Sequence, residues 1–573
     1  VTRERAERKG PRLKPRRGAL PTFGLTKGQA LALFLGALAI RLAHVLFMRE
    51  SPYFDHPVID ALTYHQAATS IAAGHGHPDR VFWQPPGYAY FLALLYALRG
   101  SADFLLPRIV QSLIGASCAV LTAWIGASRF GARVGLAAGW IVAAYGTLVY
   151  FDGELLGASL TLLLQLVAVA LAVLAAGEKR PERVWLAAGL ATGCAALVTA
   201  TSLVLAPIFA VAARRNWPAV LLGAAIAIAP ATIRNAVHGG EFVPLSSNGG
   251  INLHIGNNAH YDETVEIRPD RLWVEFTKEP FEHDVRTQGG ASLYWTGRVV
   301  KWAVEEPVAF LALQARKARL FLGGDEIYRN QAIYPARENS PVLRALLWKL
   351  PGFAFPYGLL APFALVGMAV AWRRAPLLAA ITVAYSLAVI AFFIAARYRV
   401  PLVPYFAIFA VQGAVWFGSG PPIAARAAAV GALVALLAVA NLGQGEMSHE
   451  MNADAEFNLG DQFRLERNYR EAEAHMRNAL QSRPDYVEAW VHLGVMEAMQ
   501  GRYDEAERDF EEAVRLAPEE PTTLLNYATM RERQNRWEEA AVLYERAASA
   551  DPSDPFASGR LAEIRARGLA SAR

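Results

Sequence analysis

Cysteine is nearly absent. The chain of 573 residues has two, Cys118 and Cys194, both inside apolar runs, so neither a disulfide framework nor a cysteine-based metal site is available. Charge is scarce as well: Asp, Glu, Lys and Arg make up 19% of residues against 54% apolar, and mean hydropathy is positive. That balance excludes a single water-soluble domain and requires a second apolar solvent, the lipid bilayer. No HExxH pairing occurs, which removes the commonest zinc hydrolase pattern. No inverted repeat with paired broken helices is seen, which argues against a transporter. The net charge of +5 would suggest nucleic acid in a soluble protein. Here the Lys and Arg residues fall in short clusters between apolar runs, the pattern of topology determinants.

What is present is organised by those runs. A basic, Pro- and Gly-containing stretch, residues 1–27, reads as a disordered cytoplasmic tail. It is followed by an apolar run without a small-residue cleavage site, read as a retained helix. A window of about 20 residues marks about eleven spans: 28–48, 107–127, 134–151, 155–176, 184–199, 200–214, 217–237, 352–372, 375–396, 400–418 and 423–441. With the N-terminus inside, the loops at Arg129 and Arg133, Lys179 to Arg183, Arg214-Arg215 and Arg373-Arg374 are cytoplasmic, and all are basic, as the positive-inside bias requires. Treating 184–214 as one span would invert the later loops, so two are expected. Residues 86–98 are too short to span and read as an interfacial helix. The outer segments are then 49–106, 238–351 and everything after 441. The 238–351 loop is long enough for a small domain, with Trp295 and Trp302 suited to the bilayer interface. Its fold is not legible.

Beyond residue 450 the composition turns charged and helical, and positions recur at a step of about 34. Leu459, Leu493 and Tyr527 correspond, as do Tyr469, Tyr503 and Trp537; Ala472, Ala506 and Ala540; Ala479, Ala513 and Ala547; and Pro484, Pro518 and Pro552. Small residues let paired helices approach, aromatics fill between them, and proline stops the second helix. These are tetratricopeptide repeats over 454–567, with 555–567 as a capping helix and 442–453 as a linker.

The chemistry-bearing residues concentrate on the outer side. Asp60 follows the first span, in a loop of polar and aromatic residues ending in Trp83-Gln84-Pro85-Pro86-Gly87-Tyr88. Read alone, it is as much a helix N-cap as a base, and Asp55 is the nearby substitute. Asp152 and Glu154 sit on a turn between two spans, where acids also complement a helix dipole. Arg397 and Arg399 end one span and start the next, against the positive-inside trend. Guanidinium groups at that depth suit bidentate phosphate binding, and Arg234 stands at another outer helix end. Snorkelling is the plain alternative. His56, His65, His75 and His77 have no metal-ligand spacing and read as surface histidines. Ser246-Ser247-Asn248-Gly249-Gly250 with Asn252, Asn257 and Asn258 is either a set of turns or a group of amides facing a ligand. Arg41 and His44, a turn apart in the first span, face the bundle.

Taken in order, several stretches resemble the GT-C superfamily of membrane glycosyltransferases, in particular family-39 (protein O-mannosyltransferase-like) members with C-terminal tetratricopeptide repeats. They are Asp60-Ala61-xx-Tyr64, Trp83 to Tyr88, Ile233-Arg234-Asn235, Ser246 to Asn252, Ile255-Gly256-Asn257-Asn258, and Ala396 to Pro404. The resemblance implies an all-α polytopic bundle, residues 28–441, plus an α-solenoid. It implies inverting transfer of a sugar from a polyprenyl-phosphate donor to an acceptor hydroxyl at the extracytoplasmic face of a bacterial inner membrane. Asp60 would be the base, with Glu154, or else Asp152, as accessory acid. Arg397, Arg399 and Arg234 would hold the donor phosphate, and Tyr64, Trp83, Gln84, Tyr88, Asn248, Asn252 and Asn257 would line the substrate loops. The donor lipid would enter between helices. No cofactor is required, though a divalent cation at the second carboxylate is compatible. The repeat groove would hold a protein acceptor or partner, and no nucleic acid is expected. Two other readings stay open: a lipid-linked glycan ligase or polymerase, and a non-enzymatic scaffold for the repeats. The enzyme reading requires Asp60 and the arginine pair to meet in one hollow.

Overall fold

A capping box starts the first long helix, α1 (Lys27–Met48). The Thr26 hydroxyl accepts from the Gln29 N–H, and the Gln29 side chain accepts from the Thr26 N–H, satisfying donors that a helix start leaves over. The computed structural model describes residues 24–570 apart from 177, 179–180, 267–270, 330–332, 443–448 and 553. Residues 1–23 of the expected tail and residues 443–448 of the expected linker therefore lie outside the described residues.

After α1 come α2 (Asp60–Ala72), α3 (Gly87–Arg99), α4 (Leu105–Phe130), α5 (Ala132–Ala143), α6 (Gly146–Gly153), α7 (Ala158–Ala175), α8 (Glu182–Val198), α9 (Leu205–Ala213) and α10 (Trp217–Gly239). Every segment marked as a span in the sequence contains helix, but not every helix crosses alone. Among the described residues six segments are long and apolar enough, or seven if α5 and α6, bent by 53°, form one span. The count falls below the expected eleven because Ala200–Gly239 counts as one segment, the expected 134–151 span is bent, α8 has only 17 residues, and the later helices α18 (Tyr357–Ala371) and α19 (Pro376–Ala391) have only 15 and 16. The 184–214 region is divided as expected: Thr199, at φ −147° and ψ 109°, ends α8, and a 3₁₀ turn, Ala200–Val204, precedes α9. Glycines let helices touch backbone to backbone. A Cβ at Gly189 would lie 2.1 Å from the Val220 carbonyl oxygen, and one at Gly367 would lie 1.9 Å from that of Phe409.

The segment between α10 and α18 is largely helical: α11 (Gly249–Ile255), α12 (Tyr261–Glu266), α13 (Arg271–Glu282), α14 (Gln288–Glu305), α15 (Pro307–Leu322), α16 (Ala336–Asn339) and α17 (Pro341–Leu346). A hairpin closes it, β1 (Trp348–Leu350) pairing antiparallel with β2 (Phe353–Phe355), Trp348 opposite Phe355. Trp295 is buried, stacked between His254 and Phe276, so it serves this layer's own core instead of the bilayer interface. The membrane part ends with α20 (Ala396–Arg399), α21 (Val403–Gly418) and α22 (Ile423–Asn441). Helix α22 is almost bare, with 6% of its apolar window buried.

The solenoid runs α23 (His449–Leu465), α24 (Tyr469–Ser482), α25 (Val487–Met499), α26 (Tyr503–Leu516), α27 (Pro521–Arg533), α28 (Trp537–Ala550) and the capping α29 (Pro555–Ala566). Ala472, Ala506 and Ala540 are fully buried where paired helices meet. The turns inside the helix pairs carry left-handed residues at matching positions, Arg467, Gly501 and Asn535.

Candidate functional site

Asp60 is the first residue of α2, and the residue before it, Ile59, has φ 50° and ψ −115°. A β-branched residue at positive φ is costly and persists only where packing over-determines it. The strained turn delivers Asp60 into the wall of a cavity of about 2110 Å³. There its Oδ2 accepts from Arg397 Nη1 at 2.5 Å and its Oδ1 accepts from Gln84 Nε2 at 3.2 Å. The two ion-pair partners are 337 positions apart in sequence. The guanidinium favours the ionised carboxylate, the form a base needs. Arg397 also donates from Nη2 to the Tyr398 hydroxyl at 3.0 Å, and among the described residues its buried Nε has no hydrogen-bond partner. Burial, then the charge of Asp60, push the Tyr64 phenol up, so Tyr64 is a protonated hydroxyl on the same wall.

Tyr64, Trp83, Gln84, Asn248 and Asn252 all line this cavity with Asp60 and Arg397. The other expected residues lie elsewhere, each for a visible reason. Arg399 is 1% exposed; it donates to the Gly323 carbonyl at 2.8 Å, to that of Asp325 and to Glu326 Oε2 at 3.1 Å, and lies 4.0 Å from the Tyr357 ring. It holds the 323–326 segment. Arg234 donates to the carbonyls of His77, Asp79 and Arg80 and covers the Phe82 ring at 4.2 Å, which ties the first loop to α10. Asp152 is consumed by Arg41, whose Nε donates at 2.5 Å, and by the Ser159 hydroxyl. Glu154 lines a separate cavity of about 310 Å³ with Tyr53, Arg108 and His475. Tyr88 is buried and donates to Gln111 at 2.5 Å. Asn257 accepts from the buried Lys317 at 2.7 Å.

Of the four histidines, His56 faces Glu466 at 3.0 Å, His65 faces the Tyr96 hydroxyl at 3.1 Å and His77 is 3.8 Å from Asp79. His44 pairs with Ser340 at 2.9 Å, inside the bundle as expected.

The sequence reading missed two cationic residues of the cavity. Arg329, 4.3 Å over the Phe393 ring, and Lys349, 2.8 Å from Asp325, both line it. Neither belongs to a motif; the signal available was a set of polar residues in a loop next to the Arg397 region. The solenoid supplies a further wall through Phe457, Asp461, Arg483, Tyr486 and His492. It is joined to the membrane part by Tyr53 donating to the Ala455 carbonyl and Tyr328 donating to Asp454 at 2.8 Å.

Residues 83–233 match the family described as dolichyl-phosphate-mannose-protein mannosyltransferase, and residues 457–521 and 500–555 match the tetratricopeptide repeat. The membrane part is thus similar to a mannosyltransferase family over residues 83–233, and the C-terminal part carries tetratricopeptide repeats. No curated protein matches it. Similar solved structures include the oligosaccharyltransferase of Archaeoglobus fulgidus in the apo form, at 14% identity and TM-score 0.40, covering 78% of this chain and 60% of that one. The same archaeal enzyme in complex with an inhibitory peptide and a dolichol-phosphate has 14% identity and TM-score 0.38, covering 77% and 59%. The chain therefore spans about 60% of the length of that structure.

Proposed function

We propose that the protein transfers a sugar from a polyprenyl-phosphate donor to an acceptor hydroxyl at the extracytoplasmic face. The observation that carries the reading is the meeting of Asp60 and Arg397 at 2.5 Å on the wall of a cavity that also opens onto the repeats. Asp60 takes the proton of the acceptor hydroxyl as the new bond to the anomeric carbon forms. The bond from that carbon to the phosphate oxygen breaks, and the phosphate leaves with the electron pair. A single displacement of this kind inverts the anomeric centre. Arg397 holds the phosphate through its guanidinium group, while Gln84 fixes the Asp60 carboxylate. Arg329 and Lys349 add positive charge to the cavity lining.

The acceptor in this reading is a polypeptide hydroxyl held along the concave face of the repeats, because that face forms part of the same cavity and solenoid grooves bind extended chains. Among the described residues no three His, Cys, Asp or Glu side chains converge, and no step is assigned to a cation. Replacement of Asp60 by Asn tests the proposal: sugar transfer from a polyprenyl-phosphate donor should fall by about 10²–10⁴-fold at normal expression and unchanged thermal stability. Transfer at the wild-type rate would leave only an anchored repeat protein.

A further inference from the structure

A second set of side chains in the cavity has no role in that chemistry. Thr161 of α7, Thr199 and Thr201 around the break between α8 and α9, and Tyr385 of α19 line its floor. Thr161 and Thr199 hydroxyls are 2.8 Å apart, and Thr201 is 3.3 Å from the Tyr385 hydroxyl. Behind them Gln165, fully buried, donates to Ser202 at 2.9 Å and to Tyr385 at 3.5 Å. Its Oε1 has no hydrogen-bond partner among the described residues. Polar groups inside an apolar bundle are expensive and are kept where they serve a ligand path. Irregular backbone at such depth is tolerated where it lines a cavity, and the extended Thr199 is that kind of irregularity.

The chemistry of the floor limits what it accepts. The lining residues contributed by α7, the end of α8, the break that follows it and α19 are Ala158, Thr161, Val198, Thr199, Ala200, Thr201, Val204, Tyr385, Ala388 and Val389, with no charged side chain among them. Asp60, Arg397, Arg329 and Lys349 come from other elements of the chain. Hydroxyls that rotate between donating and accepting match a ring of hydroxyls, whereas an ammonium or carboxylate placed there would be buried without a counter-charge. We infer that Thr161, Thr199, Thr201 and Tyr385, backed by Gln165 and Ser202, form the subsite that reads a neutral polyhydroxylated ring, the sugar carried by the donor. The inference rests on the donor reading proposed above and extends it to sugar class.

The test measures binding of two probes to the full chain in detergent, polyprenyl-phosphate mannose and bare polyprenyl phosphate. Wild type should bind the sugar-bearing lipid about tenfold tighter. Tyr385→Phe and Thr201→Val should abolish that advantage while leaving bare polyprenyl phosphate affinity intact, and Thr201→Ser should retain it. Bare-phosphate binding by each variant reports that the protein is folded. A polyprenyl phosphate carrying an amino sugar should gain nothing over the bare lipid. Equal affinity of wild type for the two probes, an advantage that survives both variants, or an effect confined to the acceptor KM would each overturn the inference. Arg397→Ala separates the two proposals: it should weaken both probes, and if it weakens neither, the donor-phosphate reading is the one that fails.

Discussion

Arg399 and Arg397 are two positions apart and have opposite fates. The Arg397 and Asp60 side chains keep 23% and 15% of their surface exposed, whereas Arg399 and Glu326 keep 1% and 2%. A pair on a cavity wall can exchange partners with a ligand. A pair sealed in the bundle cannot, and breaking it strands a charge. Glu326→Ala should therefore cost about 3–5 kcal/mol, read as a lower unfolding temperature in detergent, and the apolar double replacement with Arg399→Met should recover most of it. Sequence gave both arginines the same standing because both lie in Ala-Arg-Tyr-Arg-Val-Pro; burial separates them, and burial depends on where residues 323–326 return. The same holds for Asp152, whose partner Arg41 is 111 positions away. Asp60, Tyr64, Trp83 and Gln84 were legible because they lie within one loop, where local order carries the information.

At the level of elements, the repeats were the most legible part. Their period fixes which positions are small, aromatic or proline without reference to the rest of the chain. The 34-residue register also exposes a weakness. Gly501 takes the left-handed turn position at φ 79°, but Arg467 takes it at φ 61° and Asn535 at φ 59°. Side chains other than glycine are strained there, so Arg467→Gly should stabilise the solenoid by about 1 kcal/mol in a thermal melt. A pH effect comes from the third and fourth helices of the array. Burial, then the hydrogen bond the protonated Glu497 carboxyl donates to Asp509 and the charge of Asp509, hold the Glu497 carboxyl up at about 8, above its ordinary range. A carboxyl raised on folding contributes stability that is present below its unfolded pKa and is lost as pH rises through the folded value. The melting temperature of the repeats should fall between about pH 5 and about pH 8, and Glu497→Gln should flatten that slope. The 238–351 segment was illegible for the opposite reason: its helices are short and mixed in composition, and they hold their shape against α19 through Lys317 and the carbonyls at 391–392.

For the whole molecule, the hydropathy pattern located the bundle, yet the joint between bundle and solenoid had no sequence signal. It includes a tyrosine hydroxyl on a backbone carbonyl, Tyr53 to Ala455, Tyr328 on Asp454 and His56 on Glu466, pairs that no periodicity marks. That joint has a consequence for chemistry. Because Phe457, Tyr486 and His492 form one side of the reaction chamber, a chain ending at Asn441 would lack more than a docking arm: it would be open to solvent above the anomeric carbon. Water would then compete with the intended nucleophile. Such a truncation should release free sugar from the lipid donor while transfer to polypeptide declines, an exchange of products that chromatography of the soluble fraction would detect. In the proposed reaction the repeats are a roof as well as a cradle, there to keep a reactive bond dry until the right hydroxyl arrives.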